Sequence, residues 1–171
     1  GTDRRRLTQL GDAPAENRVH ADHMHAHLID EYAVKTWMDA YGAAWVARDA
    51  EALANLFAAD ACYQERRYKP ALRGIDAIRN YWRVLLEQQR DVAFDATVVA
   101  LRGYTACVHW HASFSSVSSD ELTELDALSR VAFSVDCSAG GGLVAYAWDE
   151  WIDRREAETA GTALRRTLPA L

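Results

Sequence analysis

The sequence predicts an α+β fold, three helices followed by a long antiparallel meander, with the helices packed on one face of a curved sheet. Three observations carry this. In the first half, apolar residues recur at the 3.6-residue period of an amphipathic helix. From Asp91 onward they alternate at the strand period of two, between turn signals rich in glycine and serine. Half of the 171 residues are apolar and 10% aromatic, enough to bury a core, yet no apolar run approaches the ~20 residues that cross a bilayer.

Residues 1–28 read as an extension outside the core. Arg4, Arg5 and Arg6 are followed by Gly11, Pro14 and the run His20, His23, His25 and His27. His23 and His27, spaced i and i+4, would chelate a metal on a helix; a solvated arm is the plainer reading. The first helix is expected over Glu31 to Arg48, where Val34, Trp37, Met38, Tyr41 and Trp45 form one apolar stripe. Asp49 reads as the N-cap of a second helix, Ala50 to Ala58, that buries Leu53, Leu56 and Phe57. A short strand over 61–66 ends at Lys69-Pro70, and Gly74 precedes a third helix, Ile75 to Gln89, with Ile75, Ile78, Trp82, Leu85 and Leu86 on its buried stripe.

Four strands follow, at 92–101, 105–115, 122–135 and 143–153. The first two are joined at Arg102-Gly103, where glycine supplies the backbone angles of a tight turn. The chain from Arg154 is charged and alanine-rich, and residues 157–171 are assigned to a tail. The domain is therefore expected over 29–156, without repeats or an internal linker.

Composition excludes some functions. A formal charge of -6 lacks the concentrated positive field of a nucleic-acid surface. Cys62, Cys107 and Cys137 are odd in number and far apart, which argues against a disulfide framework or a thiolate metal site. The N-terminal stretch has no apolar core of a signal peptide, so a cytoplasmic protein is expected, with no membrane partner.

The stretch from Cys107 to Phe114 has two chemically distinct faces. Val108, Trp110, Ala112 and Phe114 share one side, and Cys107, His109, His111 and Ser113 share the other. The apolar set is expected to pack and the histidine set to line a pocket; the alternatives are that His109 and His111 meet water or satisfy each other in a buried network. Their spacing with a nearby carboxylate also suits a metal. Glu65 opens the charged run Glu65-Arg66-Arg67, which fits a solvated strand end as well as a pocket.

The order of elements and specific landmarks resemble the nuclear transport factor 2-like superfamily, in particular its SnoaL-like, polyketide-cyclase branch. The landmarks are Tyr41-x3-Trp45-x3-Asp49, Leu56-Phe57-Ala-Ala-Asp60-Ala61, Gly74 before the third helix with Ile78 and Tyr81-Trp82, Leu125-Asp126, and Trp148-x-Glu150-Trp151. They span roughly Val34 to Glu156. The resemblance implies a cone-shaped, cystatin-like α+β barrel whose sheet curls around a central cavity roofed by the helices. It also implies homodimers and no cofactor.

Three members of the superfamily supply positional comparisons. By resemblance to ketosteroid isomerase, Tyr41 stands where a tyrosine stabilises an oxyanion and Glu65 where a carboxylate moves the proton; Ser129 replaces a second acid. By resemblance to limonene-epoxide hydrolase, Tyr63 matches a water-positioning tyrosine, while Glu65, His109, His111 and Glu150 replace an asparagine, an arginine and two aspartates. Scytalone dehydratase is similar at the level of fold and uses paired histidines. The expected pocket therefore holds Glu65 as base, His109 or His111 as partner acid, Glu150 as orienting carboxylate, Tyr41 and Ser129 as oxyanion donors, and Tyr63 and Trp148 as wall. The expected activity is cofactor-independent acid-base chemistry on a hydrophobic, oxygenated small molecule: cyclisation, isomerisation or dehydration. A non-catalytic binding or dimerisation domain is the alternative, and an epoxide hydrolase-like or metal-dependent enzyme the third.

Overall fold

A computed structural model describes residues 29–66, 68–136 and 142–156. The histidine-rich arm, Cys137 and the C-terminal tail lie outside the described residues. Helix α1 spans Glu31–Val46, opened by Asp30, whose carboxylate accepts the Ala33 N–H at 2.7 Å. Its expected stripe is buried, and Gly42 joins it. A Cβ at Gly42 would sit 2.3 Å from the Phe94 ring, so this glycine sets how closely α1 approaches the sheet.

Helix α2 spans only Ala50–Ala54, capped by Asp49 as expected. The chain then enters β1, Phe57–Gln64, instead of continuing as helix to Ala58. The Leu56 carbonyl explains the early stop. It accepts the Ala145 N–H at 2.9 Å and the Trp37 indole N–H at 3.1 Å, so tertiary partners take the group a longer helix would use. Strand β2 is Leu72–Arg73, and α3 is Ile75–Glu87, entered through Gly74 at φ 82°.

The remaining strands are β3 (Gln89–Arg102), β4 (Thr105–Ser116), β5 (Leu122–Asp136) and β6 (Gly142–Glu156). Gly103, at φ 60°, makes the β3–β4 turn. The sheet runs β2-β1-β6-β5-β4-β3, curved and not closed. Its pairs are antiparallel except β1 with β6, which is parallel and places Tyr63 beside Trp148. The helices and the inner face of the sheet enclose one aromatic core. Tyr41 and Tyr63 each stack on Trp148, with ring centroids 5.1 and 5.7 Å away. Cys62 and Cys107 are free and half-buried, and no described helix is long and apolar enough to cross a membrane.

Candidate active site

Strand register decides which side chains meet the cavity. Val108, Trp110, Ala112 and Phe114 all point inward, and Trp110 is only 1% exposed. Cross-strand pairs carry this face outward from β4: Val108 pairs with Ser129, and Ser129 with Glu150. Because side chains alternate strictly, His109 and His111 lie on the opposite face, with side chains 42% and 52% exposed. The expectation that they line the pocket is corrected here. A curved sheet has one concave side, so the core and the cavity share the apolar face, and the imidazoles take the convex one. His109 and His111 therefore do not occupy the place of an inward charged pair.

The cavity measures about 510 Å³ and opens beneath α1 and α3. Of the expected site residues, Tyr41, Tyr63, Glu65 and Glu150 line it. Two others stand behind its wall. Ser129 is fully buried and accepts the Trp110 indole N–H at 2.8 Å; Trp148 is fully buried and donates its indole N–H to Glu150 Oε2 at 2.8 Å. They orient the groups that reach the cavity and do not themselves line it.

Sequence reasoning missed Trp45, Tyr81, Trp82, Gln89 and Trp110 as lining residues. Trp45 and Trp82 were legible as buried stripe positions, but a stripe does not say whether it faces solid core or a void; Tyr81 stood out only as a landmark of the family resemblance. Trp45 donates to Gln89 Oε1 at 2.8 Å, which fixes that amide in the wall. Trp82 differs: its indole nitrogen is buried and has no hydrogen-bond partner among the described residues.

Electrostatics separate the two carboxyls. Glu150 is 5% exposed, and burial pushes its pKa up to about 8; the nearby Glu65 charge adds to the rise, while the Trp148 hydrogen bond and the Arg66 charge oppose it. At neutral pH it is chiefly the neutral acid. Glu65 sits just past the end of β1, partly exposed, 3.7 Å from Arg66 Nε and hydrogen-bonded to Tyr81. Burial, then the Glu65 charge, raises Tyr81 above the usual phenol range. The Tyr41 and Tyr63 hydroxyls lie 3.5 Å apart, and burial followed by the Glu150 charge raises both well above their ordinary values. All three phenols therefore remain donors. Two carboxyls in unlike environments, surrounded by neutral donors and aromatic walls, can pass a proton between carbon and oxygen.

The family model for the SnoaL-like domain matches residues 34–151. The chain belongs to this family. A comparison with curated proteins finds no match. Among experimentally determined structures, the chain is similar to a hexachlorocyclohexane dehydrochlorinase, LinA-type3, from Novosphingobium barchaimii, with TM-score 0.63, 11% identity and coverage of 83% of this chain and 95% of that one. It is similar to SalBIII, an epoxide hydrolase/cyclase-like enzyme of pyran ring formation in salinomycin, with TM-score 0.59, 16% identity and coverage of 72% and 93%. A ketosteroid isomerase-like protein from Erwinia carotovora atroseptica gives TM-score 0.56, 17% identity and coverage of 70% and 93%. At these identities the likeness is one of fold.

Proposed function

We propose that this chain is a cofactor-independent acid-base enzyme acting on a hydrophobic, oxygenated small molecule. The observation that carries the reading is Glu150, a buried carboxyl held neutral by its surroundings, facing the same aromatic cavity as the more exposed Glu65. In the proposed step the Glu65 carboxylate takes a proton from a carbon next to a carbonyl, and the C–H electron pair moves into an enolate. Glu150, as neutral acid, donates a hydrogen bond or its proton to the enolate oxygen, with Tyr41 and Tyr63 as further donors. Return of the proton at another carbon is isomerisation. Expulsion of a β-hydroxyl, protonated to leave as water, is dehydration; attack of the enolate carbon on a second carbonyl of the same molecule is cyclisation. Two structures sharing this fold, the dehydrochlorinase and the cyclase-like enzyme, support an elimination or ring-forming reaction.

The test follows proton transfer without knowledge of the natural substrate. A panel of hydrophobic ketones and enones is incubated with the protein in D2O, and C–H exchange is read by NMR. Exchange above background is expected, reduced about 10²–10⁴-fold by Glu65→Gln or Glu150→Gln. Exchange unchanged in both variants contradicts the assignment. The second reading, a non-catalytic binder, is favoured by one feature: Glu65 already has protein partners in Tyr81 and Arg66. It gives saturable binding with no exchange for any bound ketone.

A further inference from the structure

The convex face of the sheet carries a second cluster, independent of the cavity. His109 Nε2 donates to Asp126 Oδ1 at 2.6 Å, and His111 Nδ1 lies 3.9 Å from Asp126 Oδ2. One ligand-capable atom from each of the three residues lies within 4.8 Å of the others. A zinc-class ion bound at ~2.0–2.2 Å by imidazole nitrogen and carboxylate oxygen holds tetrahedral ligands ~3.4 Å apart. The observed separations bracket that value, and the side chains are exposed enough to adjust.

The surrounding charge is a separate observation. On the convex face, the β5–β6 rows either side of Asp126 are complementary or apolar: Glu124 pairs with Arg155, Leu128 with Trp151, and Arg130 with Asp149. The Asp126 row is the exception. It reads Asp95, His111, Asp126, Asp153 across four adjacent strands, with two aspartates directly opposed. Like charges directly opposed on one face are destabilising. No lysine or arginine stands in this row to offset them; its one basic group is the His111 imidazole.

We propose that His109, His111 and Asp126 bind a divalent transition-metal ion of the zinc class, clamping β4 to β5, with Asp95 and Asp153 supplying the surrounding negative field. Imidazole with carboxylate suits zinc, cobalt and nickel better than magnesium or calcium. Three protein ligands on an exposed face leave the remaining coordination positions to water or to an external donor.

The arm histidines would bind the same ions, so the test uses the full chain with His20, His23, His25 and His27 each changed to Asn. Only His109 and His111 then remain among the histidines. Titration with Co2+ is expected to give one visible-absorbing complex, displaced by Zn2+ and not by Mg2+. His111→Ala and Asp126→Asn should each weaken it by about 100-fold or more, and Asp153→Asn by about tenfold, since even partners outside the first coordination sphere are worth 10–100-fold. Zn2+ should raise the melting temperature of the arm-substituted chain and leave that of Asp126→Asn unchanged. No Co2+ complex at millimolar ion, or a complex unaffected by His111→Ala and Asp126→Asn, overturns the proposal.

Discussion

The two faces of the sheet, read at Glu150 on β6 and Asp126 on β5, use similar residue types for opposite purposes. On the concave face Glu150 is buried and neutral near pH 7, hydrogen-bonded to one indole. On the convex face Asp126 is exposed and meets an imidazole at 2.6 Å. Each lies on the face fixed by its strand's alternation, yet desolvation turns one carboxyl into a candidate acid and leaves the other to pair or to bind a cation. The difference teaches that solvent access, more than residue type, decides what chemistry a carboxyl offers here.

The sharpest way to break the comparison is through activity. Glu150→Gln or Glu65→Gln should reduce exchange of a bound ketone about 10²–10⁴-fold, while His109→Ala leaves it unchanged. Loss of exchange with His109→Ala would return the convex face to the mechanism.

Stability against pH comes next in size. The folded pKa of Glu150, about 8, lies above its ordinary 4.5, so the native state holds the extra proton between these values. Stability from this group is therefore full below about pH 4.5 and is lost as pH rises toward 8. At about 1.4 kcal/mol per pKa unit, the loss is on the order of several kcal/mol. Denaturant unfolding from pH 5 to 8 should show that slope in the parent and a much flatter one in Glu150→Gln.

Packing gives the third contrast. Gly42→Ala drives a methyl into the Phe94 ring and should cost about 1–3 kcal/mol, and Trp110→Phe, which leaves the buried Ser129 hydroxyl without its indole partner, a similar amount. The smallest effect is expected on the other face. Breaking the exposed His109 and Asp126 pair in metal-free buffer should change stability by about 1 kcal/mol or less by chemical denaturation.

Much of the fold was legible because helix stripes and glycine turns are local signals. Val34, Trp37, Met38, Tyr41 and Trp45 specify α1 by spacing alone, and Gly103 marks its turn. The end of α2 was not legible, since Ala145 and Trp37, far away in sequence, claim the Leu56 carbonyl. The site divides likewise. Tyr41, Tyr63, Glu65 and Glu150 were found because the family resemblance fixed their positions relative to the elements. The histidines were misplaced because alternation shows that β4 has two faces without showing which is concave. Trp82 was missed because a void beneath a helix leaves no mark in its periodicity, and Gln89 because it reads as the end of the third helix but stands at the start of β3.

The most direct measurement is the titration of Glu150 itself, read from the side-chain carboxyl carbon in a 13C-glutamate-labelled protein and assigned by the resonance that disappears in Glu150→Gln. The expected result is a midpoint near pH 8, against the ordinary 4.5. A midpoint at or below 5 would contradict the account, because Glu150 would then be an ordinary ionised carboxylate at neutral pH and not the neutral acid of the cavity.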